Sequence, residues 1–193
     1  MPSLKKPYVR LVFPALLAFY AGAASAHTGH HAVAGFVSGL SHPLSGLDHL
    51  LAMVAIGLWA AQQGGRALWA VPAAFVGTMV LGGALALAGL ALPHVETGIA
   101  ASVLVLGLLV ATRRQWGVAI GMAIAAAFAL FHGYAHGLEM PQATSPVLYA
   151  AGFVLATATL HIAGIAASRV GRFAIQGAGV AIAASGAAML LGF

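Results

Sequence analysis

The sequence predicts an all-α polytopic membrane bundle, with a cleavable signal peptide over residues 1–26 and six transmembrane helices over 27–193. Three observations carry this. The 193 residues are 62% hydrophobic and only 6% charged, with a mean hydropathy of +1.00, more apolar surface than a water-soluble domain of that length hides in one core. Six apolar stretches, roughly 44–62, 69–91, 97–112, 117–137, 147–168 and 173–192, match the run of about 20 residues that spans a bilayer. Every arginine beyond the leader, namely Arg66, Arg113, Arg114, Arg169 and Arg172, falls in the first, third or fifth connection between them. The positive-inside rule then puts those connections in the cytoplasm and both mature termini in the periplasm, across a bacterial inner membrane.

The leader carries Lys5, Lys6 and Arg10, then "LVFPALLAFYAGA", then "ASA" ahead of His27, the charged, apolar and small-residue succession of a secretory signal. Pro14 interrupts the apolar run, which argues against an uncleaved first helix. Cleavage after Ala26 would leave "HTGHH" as the mature terminus, readable either as a chelating end or as a solvated tail. The separators "QQGGR", "LPHVE", "RRQW", "GLEMPQATSP" and "SRVGR" are turn-forming and short, as antiparallel neighbours require. Runs such as "GTMVLGGALALAG" favour close helix packing. The placement of the histidine motifs lends no support to an inverted three-plus-three repeat.

Composition also excludes several function classes. The pI near 10.3 does not imply nucleic acid, because the basic residues come singly or in pairs between apolar runs; the expected surroundings are membrane lipid. Cysteine is absent, so any metal must be held by imidazole, carboxylate, thioether or backbone oxygen. No "GxxxxGK" loop exists and both lysines lie in the leader, which removes that route to ATP hydrolysis. Transport would be passive, ion-coupled or energised by a partner.

The three acidic residues, Asp48, Glu96 and Glu139, all fall on the expected outer half, with most of the histidines. In "HPLSGLDHLLAM", Pro43 suits the first turn of the first span and leaves His42 near its cap. His42, Gly46, His49 and Met53 then follow a 4-3-4 spacing along one face, with Asp48 about 100° around from His49. In "FHGYAHGLEM", His132, His136 and Glu139 form one stripe if the fourth helix persists to Glu139. His161 lies deep in the fifth span, and Glu96 stands at the mouth of the third beside His94. Ionisable groups in hydrocarbon cost about 2.5–3.5 kcal/mol near the centre and less toward the interface, so their clustering on shared faces points to a polar cation site. Taken alone, His161 and His94 read as readily as hydrogen-bonded structural histidines. Met53, Met122 and Met140 are more simply packing than ligands, and Trp59 and Phe75 are packing or interface aromatics. Imidazole with carboxylate suits nickel, cobalt, zinc or copper in their divalent states.

"HPLSGLDHLLAMVAIGLWA", "FHGYAHGLEMP" and "YAAGFVLATATLHIAGI" closely resemble the HupE/UreJ family, membrane proteins associated with hydrogenase and urease gene clusters and regarded as nickel permeases. The resemblance covers essentially the whole mature chain. It implies a secondary permease, not an enzyme, that supplies nickel, with cobalt as the second candidate, to hydrogenase or urease maturation. Nickel would be the transported ion rather than a resident cofactor, and a soluble metallochaperone is a candidate recipient. By the resemblance, His42, Asp48, His49, His136 and Glu139 handle metal, and Glu96 and Phe75 occupy functional positions. The expected route runs from Glu96, Asp48 and Glu139 past His132 toward His161, with affinity moderate enough for the ion to leave. The rival class is an intramembrane metalloenzyme or haem protein using the same cluster. A structural assembly factor would leave the ordered stripes unexplained.

Overall fold

The computed structural model describes residues 31–142 and 144–193, and every regular element among them is helical. The helices are α1 His31–Ser45, α2 Leu47–Gln63, α3 Ala67–Leu87, α4 Val95–Thr112, α5 Val118–Leu138, α6 Pro146–Ala167 and α7 Arg172–Leu190, with a 3-10 turn at Ser168–Val170. Helices α3 to α7 are each long and apolar enough to cross a bilayer, and α1 with α2 adds a sixth span if the bent pair counts as one. The chain is a multi-pass membrane protein. The expected signal peptide and most of "HTGHH" lie outside the described residues.

The last five spans begin and end within a few residues of their expected limits, but the first does not follow expectation. His42 and Pro43 belong to the last turn of α1, an additional helix, and are not at the start of the first span. Gly46 adopts an extended conformation (φ −96°, ψ 120°) and α2 begins at Leu47, the two helices meeting at 82°. The single-helix face expected to carry His42, Gly46, His49 and Met53 is therefore divided between two helices. Proline is tolerated near either end of a helix, so its position alone does not distinguish a start from a stop. Residues 31–41 lie ahead of the six apolar stretches, yet they are helical. What holds them is packing: a methyl group built on Gly39 would overlap the backbone of Tyr149 in α6, and one on Gly152 would overlap Phe36 in α1.

The other helices pair in the same manner. α3 and α5 run parallel with their backbones in contact where Gly133 meets Met79 and Gly82 meets Leu130, and α4 and α7 run antiparallel through Gly107, Gly179 and Gly186. α2 follows α6, with Gly57 against His161 and Gly164 against Val54. Close approach at small residues gives these helices van der Waals contact that lipid cannot offer equally. Between them is a core that includes Met53, Ile56, Trp59, Phe75, Met79, Leu106 and Tyr149.

The two ends of the bundle differ chemically. One carries Asp48, Glu96 and Glu139; the connections at the other carry the five arginines. At the arginine end, amide side chains reach main-chain oxygens: Gln62 Nε2 donates to Val110 O (2.9 Å), Gln63 Nε2 to Arg114 O (2.9 Å), Gln115 Nε2 to Gln62 O (3.1 Å) and Gln176 Nε2 to Ala111 O (3.2 Å). Two of these, at Val110 and Ala111, satisfy carbonyls that the end of α4 leaves open. Replacing Gly152 by leucine should separate α1 from α6 and destabilise the bundle by about 1–3 kcal/mol, read as a lower thermal midpoint of the detergent-solubilised protein.

Candidate cation site

The break at Gly46 brings His42 back over the start of α2. Here Asp48, in the first turn, accepts from the His49 main-chain N–H (2.6 Å) and from His49 Nδ1 (2.8 Å) through the same oxygen, Oδ1. Since Nδ1 donates to the carboxylate, Nε2 keeps the lone pair. That atom is buried and has no hydrogen-bond partner among the described residues, the arrangement in which a carboxylate orients a metal-binding imidazole.

α5 contributes the opposite wall. Gly133 and Gly137 face α3, and the alternate positions, His132 and His136, turn into the interior, both at 0% exposure. Ser102 Oγ donates to Ile99 O (2.6 Å) and lies 2.7 Å from His132 Nε2. The serine proton is committed to the carbonyl, so His132 donates from Nε2 and presents the Nδ1 lone pair, which is likewise buried without a partner. α5 ends at Leu138, with Glu139 as its cap; the stripe nonetheless reaches the acid, because Glu139 Oε2 pairs with His42 Nε2 at 2.8 Å.

Four imidazoles meet at this point. Ring centroids are 4.6 Å apart for His49 and His132, 4.7 Å for His49 and His136, and 4.8 Å for His42 and His136. His136 also stacks flat on Phe153 at 4.9 Å. The rings pack edge to face, and among the described residues no three histidine or carboxylate side chains are already gathered around one point as ligands. Rotation of rings or carboxylates would be needed to enclose an ion.

Above the cluster is a cleft of about 200 Å³ lined by His42, Ser45, Gly46, Asp48, His49, Glu96, Ile99 and Glu139. It adjoins a second of about 420 Å³ that also touches Asp48 and Glu96. Glu96 is exposed there, and His94 is exposed without joining the cluster. Below it, Phe75 is fully buried, its ring 5.8 Å from His132 and 5.3 Å from His161. Neither nitrogen of His161 has a partner among the described residues, and the same holds for His136.

Trp59 and Met53 are core residues; Met122 is exposed, and Met140 lines an apolar pocket between α3 and α6. Sequence reasoning missed Ser102, Tyr149, Phe153, Thr157 and Met79 around the cluster. Nothing in spacing separates Ser102 or Thr157 from the many small polar residues that serve only packing in apolar helices. With Ser102 changed to alanine, His132 should lose its single tautomer and sample both, which nitrogen NMR of histidine-labelled protein would record as averaged ring shifts.

Comparisons with known proteins identify the family. The family described as HupE / UreJ protein matches residues 15–189. The chain is 47% identical over 174 residues to Protein HupE of Rhizobium leguminosarum bv. viciae, covering 88% of this chain and 91% of that one. No solved structure matches it. With a match that runs through every helix that carries a clustered histidine and through all three acidic positions, the chain belongs to the HupE/UreJ family.

Proposed function

We propose that this protein is a secondary permease for a divalent first-row transition-metal cation, nickel before cobalt, serving hydrogenase or urease maturation. The observation that carries the reading is the convergence of His42, His49, His132 and His136 from three helices behind a cleft lined by Asp48, Glu96 and Glu139. Buried imidazoles with free lone pairs are costly in a membrane bundle and suit an ion of this class. Membership of the family and the likeness to Protein HupE support the same reading.

The arginine end faces the cytoplasm on this reading, so the cleft opens to the periplasm and the leader is removed as a signal peptide. A hydrated cation enters among the carboxylates and exchanges water for their oxygens. Asp48 holds His49 with Nε2 inward, and Ser102 holds His132 with Nδ1 available. As the ion approaches, the His42–Glu139 pair parts and frees both groups. The ion then passes to His136 and His132 and on toward Phe75 and His161. Neutral imidazoles bind it firmly enough to strip water and loosely enough to release it. A soluble metal carrier is the expected recipient at the arginine end.

Asp48→Ala and His49→Ala should each lower accumulation of radiolabelled nickel in expressing cells by about ten-fold or more, the scale of losing a ligand or its orienting partner, while the protein remains inserted. Normal accumulation in both variants would defeat the assignment. Repeating the assay after collapse of the proton gradient separates coupled from passive entry. Glu139 is half exposed, with its side chain 53% accessible. Its removal should cost less than about 1 kcal/mol of stability, so a loss of transport in Glu139→Ala accompanied by a nearly unchanged thermal midpoint would locate the defect in the site.

A further inference from the structure

The layer between the imidazole cluster and His161 is not uniformly apolar. Met53 lies one helical turn inward from His49 on α2, Met79 one turn from Phe75 on α3, and both are fully buried. The hydroxyl of Thr157 on α6 faces both sulfurs, at 3.3 Å from Met53 Sδ and 3.6 Å from Met79 Sδ. A threonine within an apolar helix commonly returns its hydroxyl to the carbonyl four residues back, as Thr112 does to Leu108 and Thr159 to Leu155. Thr157 is turned to the sulfurs instead. Its one proton serves one acceptor at a time, so one thioether is uncommitted at any instant, and the threonine oxygen keeps its own lone pairs. One turn further along α6, His161 is 2% exposed and both its nitrogens lack partners among the described residues. Packing alone does not account for an imidazole buried with neither nitrogen partnered one turn from this hydroxyl and its two sulfurs, since imidazole nitrogens are normally satisfied when buried.

We infer that Met53, Met79, Thr157 and His161 form a second, deeper cation station whose donors select borderline and soft metal ions over hard ones. This rests on the permease reading and deepens it. The carboxylates at the mouth attract divalent cations of any kind. Magnesium dehydrates reluctantly and requires a near-octahedral set of oxygens, and this station offers two sulfurs, one imidazole and a single hydroxyl. Imidazole suits nickel, copper and zinc, thioether sulfur favours the softer ions, and magnesium, calcium and manganese prefer the oxygen donors this station largely lacks. All four donors are uncharged, so the station discriminates without trapping the ion.

Nickel-edge X-ray absorption of the purified full-length protein, labelled with selenomethionine and loaded with nickel alone, tests this directly. Selenium neighbours of nickel are expected in the unsubstituted protein and should vanish in M53L/M79L. In cells, M53L/M79L should slow nickel uptake by about ten-fold or more, the scale of losing a metal ligand, and should weaken the preference for nickel over manganese. A spectrum of nitrogen and oxygen neighbours alone, or uptake and preference unchanged in M53L/M79L, overturns the station. The spectrum of the unsubstituted protein distinguishes these outcomes even where the double variant fails to fold. Absence of nickel accumulation with the unsubstituted protein would overturn the permease reading, while selenium at the nickel would still uphold the station; accumulation without selenium neighbours would reject the station alone.

Discussion

Backbone contact between α3 and α5 is the constraint on which the site depends. Gly133 lies against Met79, and Gly137 against Gly83 and Ala86, with no room for a side chain at either. That contact fixes the rotation of α5 about its axis. Once the glycines face α3, His132 and His136 have only the interior to occupy, and there they meet His49 of α2 and His42 of α1. The same device on α6, at Gly152 and Gly164, holds both α1 and α2 against that helix. Small residues thus place the large polar ones.

Holding imidazoles there is energetically unfavourable in itself. A buried donor or acceptor without a partner costs about 1–3 kcal/mol, and His136 and His161 each leave both nitrogens unmatched within the described residues. The bundle compensates through extensive helix contact and by satisfying one nitrogen each of His49 and His132, through Asp48 and Ser102. Those two hydrogen bonds also fix which nitrogen keeps its lone pair. Tautomer control and solvation are one arrangement here.

Much of this was legible in the residues alone. The last five spans, the alternation of arginines and the His132, His136, Glu139 stripe follow from hydropathy and helical spacing, and Asp48 beside His49 follows from their adjacency. The break at Gly46 was not legible. Pro43 ahead of an apolar run is what a helix start looks like, and only the seat of Gly39 on α6 makes residues 31–45 a helix of their own. Ser102 and Thr157 were hidden for a related reason. Their significance depends on partners 30 and 104 residues away in the chain, and local pattern carries no record of such distances.

The glutamines at the arginine end have a mechanical consequence. Gln62, Gln63, Gln115 and Gln176 fasten α2, α4 and α7 through neutral amide-to-carbonyl bonds, at the end where fixed positive charge would otherwise dominate. Debye screening loosens exposed ion pairs but leaves such bonds nearly untouched. The floor of the bundle is therefore secured by a fastening insensitive to electrolyte, whereas its mouth is held by acid and imidazole groups that respond to their ionic surroundings.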